Sequence, residues 1–251
     1  MAPDGLYLQI VNSMPALRSA GMRVAPGHVR AWLYQFVDDA GTQEALLSLL
    51  SKDELERARA FIAPAARRHY IQARAVLRML LGEVLETSPQ ELVFDYGCYG
   101  KPSLRDAAAC CFNIAHSGDY ALLAVAQGLS VGVDIERQRE TADLDALARM
   151  VLSPAETDSW AVLPPADRAP VFFSTWTAKE ALVKATGRGL GLGLSALEVG
   201  RFPGGVPDAG CCVQMGESGV FRLVPLDAPL GYAAALAVHE PSLGLSGKQL
   251  A

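Results

Sequence analysis

Apolar runs at residues 6–11 (LYLQIV) and 29–37 (VRAWLYQFV) predict two strands separated by a loop containing Gly, Pro and Ser. Helical material follows. Ser51 to Glu54 has capping-box spacing, and Leu55 and Phe61 follow on a helix that ends before Pro64. Residues 65–86 form the longest amphipathic segment, with Tyr70, Ala73, Leu77, Leu80, Leu81 and Val84 at helical spacing. Arg67, Arg74 and Arg78 fall on its other side, where a solvated face is the ordinary reading. Leu92 to Phe94 reads as a strand, Gly97 to Pro102 as a turn, and residues 110–115 and 120–126 as a hairpin around Ser117-Gly118-Asp119. A strand at 131–136 leads into helical sequence near 143–151, and Ser153-Pro154-Ala155-Glu156 joins a capping box to a proline at the first helical position. Pro170 is expected to open a long helix ending near Gly187. Beyond a glycine-rich loop, residues 196–202, 211–215, 219–224 and 231–238 read as short strands.

Strands thus come in hairpins and not in regular alternation with helices, which predicts an α+β fold. Each half, 1–127 and 128–240, offers strands, a long helix and closing strands, although no residue-level repeat accompanies that symmetry. Residues 241–251 lack periodicity and are expected to be a mobile tail.

At 251 residues, 51% apolar and 20% charged, the chain is globular and can build real cores. No segment approaches the roughly 20 apolar residues of a membrane span, so no membrane partner is expected. The start, MAPDGLYLQIV, has an early Asp4 and no basic leader, which argues against a signal peptide and for the cytoplasm. Five cysteines with vicinal pairs at 110–111 and 211–212 make a poor disulfide framework, and the absence of a CxxC spacing argues against zinc. A net charge of −5 argues against general nucleic-acid binding.

Two stretches carry candidate chemistry. In Val131-Gly132-Val133-Asp134-Ile135-Glu136, strand alternation points Asp134 and Glu136 to one face, where two carboxylates repel unless a cation joins them. In Trp176 to Lys184, helical spacing stacks Trp176, Glu180 and Lys184 along one stripe. Asp134, Glu136 and Glu180 are hard oxygen ligands that suit magnesium or manganese, and such an ion commonly shares substrate phosphates. The plainer alternative is a solvated strand end and an ordinary helix ion pair between Glu180 and Lys184. Arg57 and Arg59, the arginine helix, Lys101 and His116 are possible phosphate donors. Gly100 and Pro102 would shape a turn that holds Lys101 out toward a ligand. His116 is either a satisfied strand-end histidine or a phosphate contact. Trp176 and Phe172 read as packing residues.

Four ordered motifs, Gly100-Lys101-Pro102, Phe112-Asn113-Ile114-Ala115-His116-Ser117, Gly132 to Glu136, and Phe173 to Ala181 with Lys184, resemble the Sfp-type 4′-phosphopantetheinyl transferases. The resemblance implies a monomer of two similar α+β halves with coenzyme A and magnesium in the cleft between them. It implies Asp134, Glu136 and Glu180 as metal ligands, with Glu180 also taking the proton of the acceptor serine. Lys184 would steady the departing 3′,5′-ADP, and the acceptor would be an acyl or peptidyl carrier protein of fatty-acid, polyketide or nonribosomal-peptide synthesis. Lys101, with Pro102 beside it, and His116 match contacts to the nucleotide end of coenzyme A, His116 at the 3′-phosphate, and Arg57 falls where the family often has a basic residue near the phosphates. Ala115 stands where the family commonly has serine. Two other readings use the same residues: a magnesium-dependent phosphohydrolase or nucleotidyltransferase, and a coenzyme A-binding module without catalysis.

Overall fold

The computed structural model describes residues 6–11, 23–139, 143–187, 193–200 and 211–240. Its elements in chain order are β1 (Leu6–Val11), β2 (Val29–Gln35), α1 (Ala40–Leu47), α2 (Lys52–Ala60), α3 (Pro64–Leu85), β3 (Phe94–Tyr96), β4 (Pro102–Leu104), β5 (Cys110–Ser117), β6 (Tyr120–Gln127) and β7 (Val131–Arg137). The remainder are α4 (Leu144–Val151), α5 (Pro154–Ala161), α6 (Pro165–Thr186), β8 (Cys211–Gln214), β9 (Val220–Pro225) and β10 (Tyr232–His239). One sheet has the order β1-β2-β6-β5 and the other β7-β10-β9-β8. Only the β1–β2 pair is parallel in these two sheets; the others are antiparallel, so this is the expected α+β fold in two halves.

Alternation along the strands explains how the layers stack. On β2 and β6, Trp32, Tyr34, Leu123 and Val125 face α3 and pack with Leu77 and Leu81. Their neighbours Ala31, Leu33, Leu122 and Ala124 face the other way and meet Val131, Val133 and Leu236 of the second sheet. The two sheets therefore share one apolar layer, with α3 covering the far side of the first and α6 the far side of the second. Buried Asn113 ties the layers together, its Oδ1 accepting a hydrogen bond from the Val133 amide at 2.9 Å.

Small residues set the depth at which α6 sits. Ala233, Ala235 and Ala237 of β10 belong to the α6 core, and in register beside them β7 presents Gly132 opposite Ala237 and Asp134 opposite Ala235. A Cβ on Gly132 would stand 2.1 Å from the Ala181 carbonyl oxygen and 2.4 Å from the Ala185 nitrogen. Backbone thus touches backbone at this point, and only glycine permits it.

Several expectations are corrected. Arg74 and Arg78 are not on a solvated face: both are buried and ion-paired to buried Glu54, with Arg78 also donating to the carbonyls of Pro89 and Leu92. Burial alone would raise the Glu54 carboxyl, but the arginines outweigh it and hold the group below its ordinary value. Arg67 does remain exposed. Pro170 does not open α6, which begins at Pro165; lying in the second turn, Pro170 removes a single helical hydrogen bond, and the fold tolerates it. Of the expected strand at 196–202, residues 196–200 form no strand and 201–202 lie outside the described residues. A 3-10 turn at Leu194–Ala196 is followed by irregular chain held by buried Glu156, which accepts from the Val199 amide, and by Lys179, which donates to the Leu194 carbonyl. The third strand lies at Phe94–Tyr96 and not at 92–94, because it pairs with Pro102–Leu104 across the turn. Helix α1 had no clear periodic signal. The expected tail, 241–251, and the glycine loop at 188–192 lie outside the described residues.

Gly132→Ala should therefore lower stability by at least about 2 kcal/mol, the cost of overpacking where rigid backbone has to move. Urea unfolding should show a lower midpoint at unchanged slope, whereas a wild-type midpoint would mean that α6 and β7 are not in backbone contact.

Candidate active site

Beyond Gly132, the same face of β7 carries Asp134 and then Glu136, and the helix pressed against it carries Glu180 and Lys184 on either side of Ala181. The contact that seats the helix therefore brings all four side chains to one place. Asp134 is buried, with 4% of its surface exposed, and its Oδ1 accepts from Lys184 Nζ at 2.6 Å. Its Oδ2 is buried without a hydrogen-bond partner. Burial pushes the Asp134 carboxyl up to about 7; Lys184 opposes the rise, while Glu136 and Glu180 add to it. Glu180, half-buried, is also raised by burial, against the pull of Lys184 and with the repulsion of Glu136. Glu136 accepts from the Ser117 hydroxyl at 2.7 Å, and that oxygen in turn accepts from the Arg137 amide at 3.1 Å. The mutual influence of the carboxylates follows from their alternation on β7 and their seating against α6.

A cavity of about 260 Å³ opens beside Glu180 and Lys184. Its other wall comes from the first half: Tyr99, Lys101 and Pro102 of the turn and Asn113 of β5. Gly100, at φ +78°, supplies the left-handed residue that this turn requires. Lys101 lines the cavity, but its ammonium is not held out toward a ligand, as the turn alone suggested. Its ammonium folds inward and donates to the carbonyls of Lys184 (2.6 Å), Val131 (3.1 Å) and Ala185 (3.2 Å), and burial pushes it down to about 8.

His116 lies exposed near the end of β5, in edge contact with Phe36 at 6.3 Å between ring centroids. Desolvation by its surroundings, with the charges of His69 and Lys184, holds its imidazole below the ordinary value, opposed by Glu136. His69 stacks on the other contact surface of Phe36 at 4.2 Å, also with a lowered pKa from desolvation and from Arg68. This His69–Phe36–His116 group was missed in the sequence, since its members come from three separate segments. Arg57 does not line the cavity; it is exposed on α2 with its guanidinium 5.8 Å over the Tyr70 ring. Ala115 is buried in the layer between the sheets. Phe172 and Trp176 pack edge to face at 5.6 Å within the α6 core, as expected of packing residues.

The donor set suits a hard divalent cation, because Asp134, Glu136 and Glu180 offer only carboxylate oxygens and Asp134 Oδ2 is a buried acceptor with nothing bonded to it. Among the described residues, however, no three His, Cys, Asp or Glu side chains form a ready-made metal cage. Lys184 supplies the countercharge for Asp134.

The chain matches two family models. Residues 40–128 match one described as 4′-phosphopantetheinyl transferase, N-terminal, and residues 130–235 match that of the 4′-phosphopantetheinyl transferase superfamily. It is 37% identical to 4′-phosphopantetheinyl transferase HetI of Nostoc sp. over 178 residues, 70% of this chain and 75% of that protein. It is 30% identical to a phosphopantetheinyl transferase of Thraustochytrium sp., over 67% of this chain and 64% of that one. The figure is again 30% for 4′-phosphopantetheinyl transferase Sfp of Bacillus subtilis, over 60% of this chain and 71% of that one. The second model covers both β7 and α6, so the strand and helix that gather the carboxylates are the matched segments. On that coverage, and on the identity to HetI, the chain belongs to the 4′-phosphopantetheinyl transferase superfamily.

Proposed function

We propose that the chain transfers the 4′-phosphopantetheine group of coenzyme A to a serine hydroxyl of an acyl or peptidyl carrier protein in the cytoplasm, releasing 3′,5′-ADP. The observation that supports this most is the convergence of Asp134, Glu136, Glu180 and Lys184 beside a cavity walled by both halves. Asp134, Glu136 and Glu180 would hold magnesium, or manganese, and the ion would supply Lewis-acid neutralisation of diphosphate charge. Asp134 suits that place, because its buried charge is costly and its Oδ2 is free to bind.

The remaining work falls to the chain's own side chains. Glu180, whose carboxyl burial raises above its ordinary value, would take the proton of the acceptor serine at a carboxylate oxygen. The serine oxygen then forms a bond to the phosphorus nearer the pantetheine arm, and the bond from that phosphorus to the bridging oxygen breaks. Lys184 would balance negative charge on the departing 5′-phosphate of 3′,5′-ADP, which keeps the bridging oxygen, an interaction that matters more as charge develops. His116 is assigned to the 3′-phosphate, with Pro102 and Lys101 walling the nucleotide end and Arg57 an outer basic contact. Its lowered pKa leaves His116 mostly neutral at pH 7 in the free protein, and a phosphate beside it would draw a proton onto it.

Incubation with coenzyme A, Mg2+ and a panel of apo-carrier proteins, read by intact mass, tests the proposal. Wild type should convert at least one carrier, exhaustive chelation should stop conversion, and Glu180→Gln should lower turnover by at least about 100-fold, as expected for loss of a general base. Release of phosphate or nucleotide without carrier modification would favour a hydrolase or nucleotidyltransferase instead.

His116→Ala should weaken use of coenzyme A by about 10- to 100-fold, the loss of a hydrogen bond to a charged group, and leave use of 3′-dephospho-coenzyme A nearly unchanged. Catalytic efficiency measured for both donors gives a cycle between residue and phosphate. Equal losses on the two donors would remove His116 from the 3′-phosphate.

A further inference from the structure

The carbonyls bound by Lys101 are not arbitrary ones. α6 ends at Thr186, so the carbonyls of Lys184 and Ala185 lie in its last turn, where no residue of the helix can bond them. Val131, whose carbonyl is the third acceptor, opens the strand that carries Asp134 and Glu136. A lysine ammonium has three N–H donors, and here all of them point at carbonyl oxygens of the second half. No donor is left for an anion. The stem passes beside Gly187, whose left-handed backbone (φ +69°) ends the helix; a Cβ there would sit 3.6 Å from Lys101 Cδ.

We propose that Lys101 is a positioning residue: reaching from the turn of the first half, it caps the C-terminus of α6 and pins it to the start of β7, thereby fixing Lys184 and Glu180 relative to Asp134 and Glu136. The inference rests on the transfer reaction proposed above, and it replaces the expectation that the Lys101 side chain contacts coenzyme A directly. Cationic charge at the negative end of the helix adds to the hydrogen bonds, and the burial that lowers its pKa also shields that attraction from solvent. An ammonium is compact enough to serve three carbonyls converging from two elements. The flat, wider guanidinium of arginine has a different donor geometry.

Lys101→Met keeps the apolar stem and removes the donors, and Lys101→Arg keeps the charge and changes their geometry. In kinetics, both variants should lower kcat at least about tenfold with KM for coenzyme A changed less than about twofold, as expected when the catalytic groups are misplaced and ligand contacts remain. A direct contact to coenzyme A would instead raise KM in Lys101→Met and be largely rescued in Lys101→Arg. Hydrogen exchange on the protein alone is a second readout independent of activity. Amides of residues 181–187 and 131–134 should exchange at least about tenfold faster in either variant, since removing bonds to charged donors opens these segments locally. If Lys101→Met does not fold, Lys101→Arg carries both measurements. Unchanged exchange, or a KM effect without a kcat effect, would overturn the positioning role. Failure of wild type to modify any carrier would instead overturn the proposed reaction, and the exchange result would still decide the role of Lys101.

Discussion

The rest of the site depends on the backbone contact between α6 and β7 at Gly132. A helix normally stands off a sheet by the length of the side chains between them, but here the absent Cβ and the alanines of β10 let the helix backbone sink onto the strand. At that depth the short side chain of Asp134 meets Lys184, and Glu180 comes under the influence of Glu136. A larger residue at position 132 would lift the helix and separate the groups on which the chemistry rests. The architecture around this point, two sheets sharing one apolar layer with a helix outside each, packs β7 between that layer and α6.

Three buried acids show how the chain treats charge differently in scaffold and site. Glu54 accepts from Arg74, Arg78 and the Ser51 amide. Glu156 pairs with Lys179 and accepts from the amides of Ser153 and Val199. Both are fully engaged, and removal of one partner from such a pair costs about 3–5 kcal/mol. Asp134 has only the Lys184 ammonium, and one of its oxygens has no partner. An unsatisfied buried acceptor reduces stability, so its presence under the influence of two further carboxylates and bonded to Lys184, which lines the cavity, points to a ligand and not to the fold.

Much of this was legible in the sequence where the signal is local. Strand alternation put Asp134 and Glu136 on one face, helical spacing aligned Glu180 with Lys184, and Ser153-Pro154-Ala155-Glu156 announced α5. Interactions between distant segments were not legible. Helical periodicity divides α3 into two sides, but only Glu54, 20 and 24 residues before Arg74 and Arg78, turns the arginine side into a buried one. Lys101 read as an outward turn residue because its carbonyl partners lie 30, 83 and 84 residues further along the chain. Apolar residues at 196–200 imitate a strand, yet what holds them is a buried Glu–Lys pair and no ladder. His69 gave no signal at all, since only the fold places it against Phe36.

Calorimetric titration of Mg2+ into wild type and Asp134→Asn tests most directly whether the orphaned carboxylate oxygen exists to bind a cation. The substitution is nearly isosteric and removes only charge and one acceptor. Wild type should bind one divalent ion per chain, and the variant should lose more than the roughly 10- to 100-fold in affinity that disturbing even an outer partner of a metal ligand costs. Equal affinity in the two proteins, or no binding to either, would contradict the account.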